Sequence, residues 1–192
     1  QAINVIASSE QALINLSIRN DVRNSEASCA QSLAIAQLAM PSTINLARIN
    51  ARGVVTCSAR AILMSPDLSK RAWLPKLSKS DEISYAGPAV EGVSGIPVLI
   101  VGVGLTSASG MSIGHIVTGI NLEKLEAKLQ DRRRTSGAIL TLVDQNGVPV
   151  HRDAKGTTSS SRKPITLISN KIAPGAVTSI RDETGRLWTY AR

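Results

Sequence analysis

Arg71 and Trp73 stand two residues apart in Asp67-Leu-Ser-Lys-Arg71-Ala-Trp73-Leu, in a chain with two tryptophans, two tyrosines and no phenylalanine. An arginine presents a planar fork of donors that matches a carboxylate or phosphate in two-point fashion. A tryptophan face accepts an apolar group or a cation. Tyr85, at the opening of the next strand, adds a hydroxyl. Together these three types suit the capture of a small molecule carrying an acid and an apolar portion. The plainer reading is a core tryptophan whose edge is covered by the arginine stem.

The remaining chemistry-bearing residues are sparse. Val101-Gly-Val-Gly104 has two glycines of a dinucleotide fingerprint, but the next glycine is Gly110 and a strand, not a helix, follows. Small residues in a crowded sheet are the better account. No Gly-x-Ser-x-Gly elbow is present. His115 lies in an apolar strand pattern and reads as structural; His151 follows a hairpin beside Arg152 and Asp153. Asp81-Glu82 is a loop pair, not a hydrolytic carboxylate couple. Two cysteines cannot build a four-ligand zinc site. The expectation is therefore a domain without catalysis, metal or cofactor.

Cys29 falls on a predicted helix and Cys57 on a predicted strand. If that helix crosses the sheet, the two form a disulfide, and with it an oxidising compartment is implied. If it does not, they are two buried thiols of a reducing one.

The elements that must position these groups change character at Pro41. Before it, Leu13, Leu16, Val22, Leu33, Ile35 and Leu38 recur near helical spacing, predicting helices over 3–24 and 26–39 with a cap near Ser25. A first helix of that length is either a core helix or a stalk that pairs with its copy. After Pro41 the period is two. Hairpins turning at Gly53, Gly147 and Gly185 are predicted over 44–58, 140–150 and 177–190, and another turn at Thr106–Gly110 joins 97–105 to 112–120. Short helices are expected at Arg71–Leu77 and Leu122–Leu129. The order is α+β with an antiparallel sheet. Asp131–Ser136 reads as a linker and Gly156–Ser161 as a polar loop. Domain boundaries follow: a helical stalk over 1–40, one module over 41–130, and a smaller, incomplete one over 137–192.

The 192 residues carry a net charge of +8, with 43% hydrophobic and 19% charged residues, which excludes a disordered chain. Residues 131–192 hold eleven of the basic groups against five acidic ones. That bias, with the Arg132–Arg134 run, admits a nucleic-acid or anionic-surface binder. No reading helix or stacking aromatics accompany it, so nucleic acid is not expected as a partner. The longest apolar run, Ile96 to Leu105, is about half of a membrane span. The absence of a starting Met and of a signal peptide suggests a piece of a longer protein.

Taken in order, Cys29 on a helix, Gly53-Val-Val-Thr-Cys57-Ser, Asp67-Leu-Ser-Lys-Arg71-Ala-Trp73-Leu, Ser94-Gly-Ile-Pro97-Val-Leu-Ile and Gly119-Ile-Asn-Leu-Glu-Lys-Leu resemble a bacterial double Cache (PDC-type) sensor domain. The resemblance is strongest over 29–130 and continues through Val143-Asp-Gln-Asn-Gly147 and Asp182-Glu-Thr-Gly185. It implies a long N-terminal helix, a PAS-like antiparallel sheet with flanking helices, and a second such module. It further implies an extracytoplasmic, dimeric domain between two membrane helices, relaying a ligand to a cytoplasmic histidine kinase, diguanylate cyclase, phosphodiesterase or chemotaxis output. Arg71, Trp73 and Tyr85 match its ligand-binding stretch for amino acids or organic acids, with the Arg71 guanidinium facing inward. Leu74 stands where an aromatic often follows the tryptophan. A structural, ligand-free dimerisation module is the main alternative.

Overall fold

Apolar residues alternate with polar ones through the stretches after Pro41, and the backbone there extends into strands, because only a two-residue period puts the apolar set on one face. The computed structural model describes residues 2–61, 66–92, 95–130, 141–143, 149–152, 177–181 and 187–191. It comprises two units, 1–137 and 138–192.

In the first unit, helices α1 (Ala2–Ser17), α2 (Asn20–Arg23) and α3 (Cys29–Leu38) precede strands β1 (Thr43–Asn50) and β2 (Val55–Ser58). A single 3₁₀ turn at Leu74–Lys76 interrupts the long connection to β3 (Ile83–Val90), β4 (Pro97–Thr106) and β5 (Ser112–Asn121), after which α4 (Leu122–Gln130) follows. The five strands form one antiparallel sheet in the order β2-β1-β5-β4-β3. The Asn121 side chain accepts the Lys124 amide at 3.0 Å and so starts α4.

The helices cover one face of the sheet: α1 lies on β4 and β5, α3 on β1 and β2. Leu13, Leu16, Val22 and Leu33 are fully or almost fully buried there. Strand residues of the same parity (Leu46, Val101, Val103, Leu105, Ile116 and Ile120) are buried opposite them. Ile35 and Leu38 depart from the expected core, being 63% and 83% exposed. The opposite face carries Ala47, Ile49, Val55, Ala86, Val98, Ile100 and Val117, packed with Leu77.

The first helix is shorter than its periodicity predicts. At Arg19 the backbone turns extended (φ −80°, ψ 127°), separating α1 from α2. The Ser17 hydroxyl bonds back to the Ile14 carbonyl at 2.8 Å, and Arg23 Nη1 donates to the Ser17 carbonyl at 2.8 Å, which closes the helix end. Asp21 then accepts from Arg19 Nε at 3.1 Å and from the Ser32 hydroxyl, fastening α2 to α3. These donors hold its carboxyl down at about 2. Ser25 is not a helix cap but a turn residue at φ 54°.

One buried charge sits between helices and sheet. Arg48 on β1 is 3% exposed. Its Nη2 donates to the carbonyls of Arg23 (3.0 Å) and Ile113 (2.9 Å), and its Nη1 to that of Ile49. Arg23 in turn donates to the Thr106 carbonyl. Burial, with the charge of Arg23 added, lowers the Arg48 guanidinium to about 10.

The second unit contains two antiparallel hairpins, β6 (Thr141–Val143) with β7 (Pro149–Arg152) and β8 (Val177–Arg181) with β9 (Leu187–Ala191). His151 lies on β7, in register with Leu142. The linker Asp131–Ser136, with its Arg132–Arg134 run, and the loop Gly156–Ser161 lie outside the described residues.

Cys29 and Cys57, 28 positions apart in sequence, are joined in a disulfide that ties α3 to β2, with Cα atoms 6.2 Å apart. Cys29 is fully buried. Reduction, or replacement of both cysteines by alanine, is expected to lower the unfolding free energy by about 3–4 kcal/mol in the chain-entropy model. Urea denaturation with and without reductant measures this, and coincident curves would show that the bridge adds nothing.

Candidate functional site

The segment 66–82 crosses the helix-free face of the sheet as a strap between β2 and β3. Its entry is paired to the β1–β2 turn: Val54 bridges Asp67, Val55 donates to the Pro66 carbonyl at 3.0 Å, and Leu68 donates to that of Gly53 at 2.8 Å. The Asp67 carboxylate accepts the Ser69 amide at 2.8 Å, a local turn that pulls its pKa below the usual range.

Between these anchors and the strap's exit, the predicted helix Arg71–Leu77 is replaced by successive tight turns. Arg71 donates to Leu68, Leu74 to Arg71, Lys76 to Trp73 and Leu77 to Leu74, each bond spanning three residues. Pro75 has no amide to give a longer helix. The turns deliver Trp73 and Leu74, partly buried, onto the apolar cluster beside Leu68, Ala89 and Ile96. Arg71 stays exposed, in contrast to the inward position expected for it. Its guanidinium lies over the β3–β4 turn, where a Cβ added to Gly92 would stand 2.6 Å from Nη2. A long side chain leaving a surface turn keeps its charge in water and its stem on the protein.

The exit of the strap is fastened at three points. The Ser78 amide donates to Ser84 Oγ at 2.9 Å. The Ser78 carbonyl accepts from His115 Nε2 at 3.0 Å. The Asp81 carboxylate accepts both the amide (3.0 Å) and the hydroxyl of Thr106. His115 is buried, and burial holds its imidazole below the ordinary 6.5, with the cationic Arg48 and Lys79 adding to the effect against the pull of the Ser78 carbonyl.

Gly102 and Gly104 make this crossing possible. A Cβ on Gly102 would lie 2.9 Å from Leu77 Cδ1. One on Gly104 would collide with the Ser80 carbonyl and stand 2.8 Å from that of Ser78. The glycines read as room for a crowded sheet are thus room for the strap.

Of the three expected binding residues, the structure brings two to one face. Ala86 belongs to the cluster beneath the strap, so Tyr85, next to it and in register with buried Val101, stands on the opposite face of β3. Its hydroxyl does not join Trp73. Proximity in sequence misled because a strand reverses side at every residue. Gly92, now seen against Arg71, carried no sequence signal beyond being a glycine in a turn. Among the described residues, no three His, Cys, Asp or Glu side chains are grouped to hold a metal ion, and no helix is long and apolar enough to cross a membrane.

The fold sets helices on one face of an antiparallel sheet and a strap on the other. No protein-family model and no curated protein matches the chain by sequence. Among solved structures it is similar to the extracellular domain of the histidine kinase rpHK1S-Z16, at 17% identity and a TM-score of 0.64, covering 96% of this chain and 88% of that one. An extracellular ligand binding receptor from Desulfohalobium retbaense also gives 0.64, at 9% identity over 94% of this chain, which spans a third (33%) of that receptor. The ligand-binding domain of the Campylobacter jejuni chemoreceptor Tlp3, in complex with 4-methylisoleucine, gives 0.58 at 14% identity, covering 94% of this chain and 75% of that one. At these identities the likeness is one of fold, and it is the fold that the double Cache resemblance implies.

Gly104→Ala is expected to destabilise the protein by about 1–3 kcal/mol, since backbone must shift to admit the methyl group. Gly119→Ala, whose Cβ would meet Val98 at an ordinary 3.4 Å, serves as the tolerated control. Equal denaturation midpoints for the two variants would contradict the close passage of the strap.

Proposed function

We propose that this chain is a double Cache sensor domain of a transmembrane signalling protein, lying outside the cytoplasmic membrane and binding a small carboxylate ligand, either an organic acid or an amino acid. In this reading residues 1–40 form the helical stalk, 41–130 the membrane-distal sensing module and 137–192 the membrane-proximal one. The observation that carries it is the strap, which seats Trp73 on the apolar cluster and sends out the Arg71 guanidinium two residues earlier. Arg71 takes the carboxylate, as a two-point charge-assisted pair, while Trp73 and the cluster take the apolar remainder. Tyr85, on the other face, has no part in it.

Three further observations support this reading. The structural neighbours are extracellular sensor domains, one of them holding an amino acid derivative. The disulfide suits an oxidising compartment. Ile18 and Leu38, 74% and 83% exposed on the helical part, suit pairing with a second copy. Signalling then requires only that the ligand prefer one of two arrangements of the dimer or of the modules. The output domain and both membrane helices lie beyond the chain, and the sensing segment itself performs no catalysis.

A thermal-shift screen of organic acids and amino acids tests the assignment. A ligand at a hundred times its Kd adds about 2.7 kcal/mol to stability, so a true ligand raises the melting temperature by roughly 5–10 °C in a domain of this size. Arg71→Ala removes hydrogen bonds to a charged group and is expected to weaken that ligand by about 1.5–3 kcal/mol, roughly 10- to 100-fold. Trp73→Ala abolishes the shift. A shift that survives Arg71→Ala unchanged moves the site away from the strap.

A further inference from the structure

Among the described residues His115 is the single titratable side chain on the sheet face beneath the strap: its neighbours in the weave are Gly104 on β4 and Ile49 on β1. Its Nε2–H is donated to the Ser78 carbonyl, which leaves Nδ1 as the nitrogen that takes a proton. On its own face the strap brings Lys79 and Asp81, with Glu82 just beyond, while Arg48 of β1 acts on it through the sheet from the helix face. Arg23 lies behind Arg48. Asp81 is turned to Thr106, so burial is the main cost of a charged imidazole here, and the cations Arg48 and Lys79 add to it against the favourable Ser78 carbonyl.

We propose that His115 makes the strap an acid-sensitive latch: protonation of the buried imidazole favours lifting of the strap's exit, residues 77–82, from β4 and β5. A second proton on the ring places a full charge in the dry space under the strap, with Lys79 adding to the cost, and that cost is relieved when the strap lifts and water reaches the ring. The sign follows from linkage. In the lifted form His115 titrates near its ordinary 6.5, and in the closed form lower. The lifted form therefore binds more protons in the window below pH 6.5. The closed strap holds fully above that value and loses ground as the pH falls through it. Because Arg71 and Trp73 ride on the same strap, ligand affinity falls with it; that last consequence rests on the function proposed above, whereas the latch does not.

Hydrogen exchange of the ligand-free protein, corrected for intrinsic rates, separates the two. Between pH 7.5 and 5.5 the amides of Ser78 and Thr106, which bond across the strap's exit, are expected to lose protection several-fold while the amides of the β4–β5 ladder keep theirs. His115→Gln keeps an N–H donor where Nε2 stood, cannot titrate, and is expected to flatten the pH dependence. Asp81→Asn weakens the other fastening, raising exchange at every pH without changing the slope. Strap protection that is flat in the wild type, or an equal loss in His115→Gln, overturns the proposal. So does a simultaneous loss from the β4–β5 ladder, which would mark global unfolding. Should His115→Gln not fold, an NMR titration of the His115 ring against strap amide shifts decides: different midpoints for the two overturn the latch.

Discussion

The passage of the strap backbone over Gly102 and Gly104 is the contact on which the site depends. Ser78 and Ser80 carbonyls lie where side chains of any other residue would stand, so the strap rests on the sheet itself and not on a layer of side chains. That closeness brings Ser78 within reach of His115 and Asp81 within reach of Thr106. It also sets the depth at which Leu77, Leu74 and Trp73 meet the apolar cluster. A strap one side-chain layer higher would carry the same residues past the sheet without burying them, and Arg71 would have no apolar floor beside it.

The two faces of the sheet solve different problems. The strap face is almost uncharged and is covered by backbone, which leaves one imidazole to account for electrostatically. The helix face buries a guanidinium without a carboxylate. Arg48 is tolerated because its donors are taken up by carbonyl oxygens, several at helix or strand ends where such oxygens lack ladder partners. Of the Arg48 nitrogens only Nε is left without a partner, as is Gln37 Oε1 elsewhere among the described residues. The helices on that face add little charge of their own: α3 has none, and α1 only Glu10. Nonpolar packing and the Cys29–Cys57 bridge hold that layer in place.

Much of the architecture was legible because it rests on local signals. Turn glycines with period-two flanks located the hairpins β1–β2, β6–β7 and β8–β9, and the helical spacing of Leu122, Leu125 and Leu129 located α4. The Cys29–Cys57 disulfide expected from a helix crossing the sheet is present, because α3 packs on β2. What was not legible depends on partners distant in sequence. Arg23 reaches the Thr106 carbonyl and Arg48 those of Arg23 and Ile113, bonds that no window of sequence contains. The turns over 71–77 replace a helix because Trp73, Leu74 and Leu77 are claimed by the apolar cluster below and Pro75 has no amide to give. Tyr85 was assigned by nearness to Trp73, whereas strand parity separates them. The site was thus half readable: the residue types and their strap were, the side of the sheet and the outward pose of Arg71 were not.

The joint between helices and sheet has one property that follows from its atoms. Arg23 and Arg48 grip five main-chain oxygens, those of Ser17, Arg23, Ile49, Thr106 and Ile113. Every residue type presents that same oxygen, so exchanges at Ser17, Ile49, Thr106 or Ile113 leave the grip chemically intact. The tolerance is one-sided: the oxygens survive any exchange at the held positions, whatever their side chains do elsewhere, while loss of either arginine removes the donors.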